Sequence, residues 1–224
     1  GAAGASGGTA LTVNGSIINS SSATQTINTD LAFAATRTIA ATTGNITIGG
    51  AISGAGGLTK NGSNKLTLTA ANTYTGDTTI TTGTIKLTGS LNNATDLIID
   101  SNGTLDLQTT QTFATLDLDG TISNTAGTSS LVIQNAASLQ GTATTTGTQT
   151  YQGAVTVSAA TVTLTTSNSN IDFDATVNAD TAGRALTLAA GSGNVTFDYA
   201  VGGTTALGNL NITTGALTAG AIRA

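Results

Sequence analysis

Apolar residues recur along the whole chain at a spacing of two. Pairs of the form apolar-x-apolar include Leu11/Val13, Leu31/Phe33, Ile46/Ile48, Leu66/Leu68, Ile85/Leu87, Leu105/Leu107, Leu131/Ile133, Val162/Leu164, Ile171/Phe173, Leu186/Leu188, Val195/Phe197 and Leu210/Ile212. In each pair two side chains point to one side of the backbone and the residue between them to the other, as in a strand with one buried face. Helical spacing of three and four is missing, and Thr, Gly, Asn and Ser, which disfavour helix, dominate. The chain therefore reads as short strands throughout.

These strands repeat. NIDFDATV around Ile171 matches NVTFDYAV around Val195, with Phe173 on Phe197, Asp174 on Asp198 and Val177 on Val201. The pairs beginning at Val162, Leu186 and Leu210 step by the same offset as Phe173 to Phe197. NITIGGAI at 45–52 keeps the apolar positions of NIDFDATV, and Tyr151 to Val155 keeps the spacing from aromatic to valine. In the first half, Leu66/Leu68 followed by Tyr74 matches Leu105/Leu107 followed by Phe113. A unit of about 19–24 residues with two or three strands is too short for a propeller blade and lacks the leucine-rich pattern. Regular hairpin turns, as in an antiparallel sandwich, fit less well. The reading is all-β: a right-handed parallel β-solenoid of about ten coils, stacked about 4.8 Å apart. One solenoid domain spans 1–224, with N-terminal coils at 1–53, a second group at 54–140 and coils of 24-residue period at 141–224.

Composition agrees with this and removes much chemistry. The 224 residues contain no Pro, Cys, Met, Trp, His or Glu, and 50 are threonine. Proline would delete ladder donors, whereas β-branched threonine suits strands. Without His and Cys there is no ordinary zinc, copper, haem or iron-sulfur site, no imidazole base and no disulfide. A net charge of -5 with six basic residues argues against a nucleic-acid partner. No stretch has the length of a transmembrane segment, and the first residues lack the pattern of a signal peptide.

Residues 54–87 read GAGGLTKNGSNKLTLTAANTYTGDTTITTGTIKL. This resembles the passenger-associated β-strand repeat of bacterial autotransporter adhesins through Gly54, Gly56, Leu58, Lys60, Gly62, Leu66, Leu68, Asn72, Thr73, Tyr74, Gly76, Thr79, Ile80, Gly83, Ile85 and Leu87. Asn64, Ala70 and Asp77 stand where glycine is commoner in that family. Residues 147–220 are more loosely similar to filamentous-haemagglutinin-like repeats. The resemblance implies a right-handed β-helix in a secreted or surface passenger, extracellular or on the bacterial cell surface, and implies no reaction.

Candidate sites are few. Asp174 and Asp198 hold equivalent places in successive repeats and face outward if Phe173 and Phe197 face inward. Two stacked carboxylates repel unless a cation such as calcium bridges them; the plain reading is a solvated acidic ladder. Asp100, Asp106, Asp117, Asp119 and Asp172 carry the same plain reading. Asn45, Asn170 and Asn194 fit corners or an inward amide ladder. Of the aromatics, Tyr199 is the one expected at the surface. A carbohydrate-cleaving β-helix needs paired carboxylates and a basic residue in a cleft, yet Lys60, Lys65 and Lys86 all fall inside the recognised repeat. Thr-x-Thr pairs such as Thr67/Thr69 and Thr161/Thr163 suggest an ice-binding face, but their spacing does not keep the coil period. No catalytic or cofactor-binding residue is therefore assigned.

The expected function is a non-enzymatic structural or adhesive solenoid, with a cell-surface or polysaccharide target as a further expectation. No capping segment is evident at either terminus, so a complete chain is expected to pair end to end into surface or biofilm-matrix filaments. The alternative is a piece of a long autotransporter-type adhesin whose coils continue.

Overall fold

The computed structural model describes residues 9–224. It is all-β, contains no helix among the described residues, and every ladder between its strands is parallel. About ten coils stack into a solenoid with three faces, which at the parallel-strand spacing gives a rod on the order of 50 Å long. The first face is built from Ile17–Asn19, Arg37–Ala41, Leu58–Asn61, the starts of Thr78–Leu87 and Leu97–Leu107, then Leu116–Leu118, Ala137–Leu139, Val155–Val157 and Val177–Ala179. The second runs from Gln25–Ile27 through Ile46–Ile48, Lys65–Leu68 and the ends of the same two long strands. It continues with Thr121–Ser123, Thr142–Thr145, Thr161–Thr166, Ala185–Ala189 and Asn209–Thr213. The third includes Leu31–Ala32, Ile52–Ser53, Gln111–Phe113, Leu131–Ile133, Gln149–Tyr151, Ile171–Phe173 and Asn194–Phe197.

The apolar-x-apolar pairs are the inward positions of these strands. On the second face Leu66, Ile85, Leu105, Ile122, Ala143, Leu164 and Leu188 form one continuous buried column. On the third, Tyr151, Phe173 and Phe197 stack with ring centroids 5.2 and 4.9 Å apart and planes nearly parallel. Identical residue classes thus meet their own kind along the rod axis, which is how a narrow solenoid fills its interior.

Coil length varies more widely than the sequence reading allowed. Leu105 aligns with Ile122 in a short coil, while Leu164 aligns with Leu188 in a much longer one. The strands keep register because the difference is absorbed at corners. One such adjustment is visible where Ile80 pairs with Ile99 but Thr82 pairs with Asn102. A second correction concerns NITIGGAI: Ile46 and Ile48 lie on the second face, whereas Ile171 and Phe173 lie on the third. All three faces use the same short apolar alternation, so local pattern alone does not say which face a strand joins. The repeats at Ile171/Val195, at Val177/Val201 and at Leu186/Leu210 align as expected.

Phe173, fully buried between two rings, tests the packing. Phe173→Ala is expected to cost about 3–5 kcal/mol in chemical denaturation; a loss below about 1 kcal/mol would show that the aromatic column does not support the fold.

Candidate functional surface

Several polar side chains enter the interior beside the corners. Lys60 occupies an inward position on the first face between Ile39 and Ile80, and it is fully buried. Its Nζ donates to the carbonyls of Asn61 at 2.9 Å, Gly62 at 2.6 Å and Thr82 at 2.9 Å. Three N–H groups of an ammonium meet three corner carbonyls. The corner closes because Gly62 and Gly83 adopt positive φ of 80° and 74°, and a Cβ on Gly83 would collide with the Gly62 carbonyl.

Asn72 has a similar task on the third face. Its Oδ1 accepts from the Ile52 N–H at 3.0 Å, while its Nδ2 donates to the carbonyls of Ala70 at 2.9 Å and Ser90 at 3.0 Å, so one amide ties three coils together. The Tyr74 hydroxyl and the buried Thr78 hydroxyl share a hydrogen bond of 2.6 Å. Gln111 and Gln149 repeat the device further along, the latter bonding the carbonyls of Ala143 and Thr165. The buried amides thus include Asn19, which donates to the carbonyls of Ala23 and Asn45, as well as Asn72, Gln111 and Gln149. By contrast, the side chains of Asn45 and Asn170 accept from the N–H groups of Lys65 and Asn194, one coil on.

Outside, the second face carries an unbroken column of threonine: Thr84, Thr104, Thr121, Thr142, Thr163 and Thr187. Uneven sequence spacing concealed it, since corners absorb the differences. The neighbouring column is interrupted by Lys86, Asp106, Ser123 and Ala189; threonines stand side by side at Thr142/Thr144 and along Thr161, Thr163 and Thr165.

The aspartates singled out from the sequence divide into three situations. Asp106 is buried rather than solvated: Thr125 donates its N–H at 3.0 Å and its hydroxyl at 2.7 Å, and Gln108 adds a bond of 3.0 Å. Thr125, one coil on, thus caps the Asp106 carboxylate. Asp117 and Asp119 are exposed and Asp100 is half-buried; burial, then the charges of Asp117 and Asp100, raises the Asp119 pKa. The third group lies where the third face turns towards the first. Asp172 and Asp174 are half-buried and Asp198 exposed. Burial above all pushes the Asp172 carboxyl up; the Thr196 hydroxyl opposes it, and the like charges of Asp174 and Asp198 add to the rise. Beside them Asp174, Ala175, Thr176 and Tyr199 line an open cleft of about 240 Å³. Tyr199 is 59% exposed, whereas Tyr74 and Tyr151 are wholly enclosed. Among the described residues no three acidic side chains gather as a cation cage, so a calcium ion at Asp174 and Asp198 would need backbone and water for its remaining ligands.

Residues 58–87 match the family model described as passenger-associated-transport-repeat. The chain fits an autotransporter passenger-like β-helix repeat protein. The matched segment contains Lys60, Asn72, Tyr74 and Gly83, so the repeat's polar positions are the ones that close corners and tie coils. Such repeats and this fold are typically structural. No curated protein and no solved structure matches the chain. Among the described residues no helix is long and apolar enough to cross a membrane.

Two titrations test these assignments. Burial lowers the Lys60 pKa from 10.5 to about 8, so between those values the unfolded chain binds the extra proton and stability rises with pH. Lys60→Met, which removes the three ammonium donors, is expected to lose about 1–3 kcal/mol near neutral pH. The gap between wild type and variant is expected to widen from about pH 8 to 10.5; a gap that narrows would contradict the burial effect. For Asp172 the raised pKa means that the charged form weakens the fold above the carboxylate range. Asp172→Asn is expected to raise Tm at about pH 7 and to leave it unchanged at about pH 3; equal effects at both would show that charge is not the cause.

Proposed function

We propose that the chain is a non-catalytic structural and adhesive rod, secreted or held at the bacterial surface, that joins further coils end to end. The observation that carries this is the state of the outermost coils. Leu217 stacks on Val195 in an inward column yet is 47% exposed, and every residue of Ala216–Ala219 is exposed. At the other end Leu11, in register with Leu31, is 58% exposed. Core-type side chains and a free parallel strand edge are what another coil would cover. A contact of one end with the opposite end of a second copy does not close on itself and grows as a filament. The match to a passenger repeat supports a location outside the cell and also favours a second reading, in which these coils form one stretch of a longer passenger. The complete reading frame distinguishes the two.

Negative-stain microscopy and sedimentation velocity test self-assembly. Filaments that lengthen with concentration are expected, reduced to single rods by Leu217→Asp. Uniform single rods at all concentrations would overturn end-to-end assembly.

A further inference from the structure

The corner that contains Tyr199 has the same length in three successive coils, since Tyr151 aligns with Phe173 and Phe197, and Val155 with Val177 and Val201. Gly153, Ala175 and Tyr199 therefore follow one another in a single column. A large ring stands next to a methyl group, and the step between them is the cleft lined by Asp174, Ala175, Thr176 and Tyr199. The other corner-proximal aromatics, Tyr151, Phe173 and Phe197, are buried in the core. Tyr199 has no such role in packing.

An exposed ring beside a carboxylate suits a ligand with an apolar face and a rim of hydroxyls. We propose that this corner binds a neutral pyranose unit of a polysaccharide, with Tyr199 as the stacking surface and Asp174 as an acceptor of sugar hydroxyls. The C–H groups on one side of a pyranose carry slight positive charge and pack against the negative face of an aromatic ring. Carboxylates accept hydrogen bonds from hydroxyls more strongly than neutral groups do. The charge also selects: Asp174 stands in the cleft of a chain of net charge -5, and uronates, sialates and phosphates are repelled. At about 240 Å³ the cleft has room for one sugar ring, and being open it takes an internal unit of a chain. Affinity of one site is then modest, and a filament presenting many copies gains by multivalency.

The site rests on the reading of the chain as an adhesive rod and is tested separately from it. Native gels are cast with laminarin, dextran or galactomannan, and with polygalacturonate as the acidic comparison. Retardation by at least one neutral polysaccharide is expected, with none by polygalacturonate. Tyr199→Ala is expected to weaken binding by at least about tenfold, while Tyr199→Phe retains it; circular dichroism confirms that both variants keep the β fold. No retardation by any neutral polysaccharide, equal retardation of Tyr199→Ala, or equal retardation by polygalacturonate would overturn the site. If filaments still form in that case, the rod survives and only the glycan site falls.

Discussion

Each coil must lay its strands in parallel register on the coil before it, and every other feature of the molecule follows from that constraint. A parallel ladder satisfies backbone groups only between coils, so a coil has no internal sheet of its own to fall back on. The side chains repeat in columns as a result. Alternation in the sequence then becomes alternation between the interior and the surface of the rod. The absence of proline and the abundance of threonine follow from the same demand, since every interior strand position must donate and fit a pleated surface.

Corners are where the constraint is hardest to meet. Backbone groups there leave the ladder and need other partners. Lys60 supplies three donors to one corner, and Asn72 supplies donors and an acceptor across three coils. These residues belong to the matched repeat, whose polar positions are therefore explained by hydrogen-bond satisfaction without any appeal to a reaction. Flexible corner length has a second consequence: it lets the short coil from Leu105 to Ile122 and the long one from Leu164 to Leu188 coexist in one stack.

The strands and their parallel stacking were legible because apolar alternation and the recurrence of the Ile171 segment at Val195 are local and repeated. The passenger-repeat motif was legible for the same reason. Face assignment was not, because Ile46/Ile48 and Ile171/Phe173 carry the same alternation on different faces. Nor was the threonine column visible, since Thr104, Thr121, Thr142 and Thr163 are unevenly spaced and align only after the corners are built. Asp106 looked solvated because its cover, Thr125, arrives from the next coil. Asp172, Asp174 and Asp198 were found by their repeat position, and Tyr199 was expected at the surface, but the cleft beside Tyr199 depends on the small residue at 175.

The central claim is the stack itself, and its most direct test is a ruler along one face. Thr38, Thr59, Thr79, Ile98, Asp117, Ser138 and Thr156 form one outward column, one residue per coil. The chain has no cysteine of its own, so cysteine pairs introduced at Thr38 with Asp117 and at Thr38 with Thr156 can carry spin labels cleanly. Dipolar spectroscopy should give backbone-equivalent distances of about 19 and 29 Å, a steady increase of about 4.8 Å per coil. Distances that fail to grow with the number of coils, or that fold back on themselves, would contradict the solenoid.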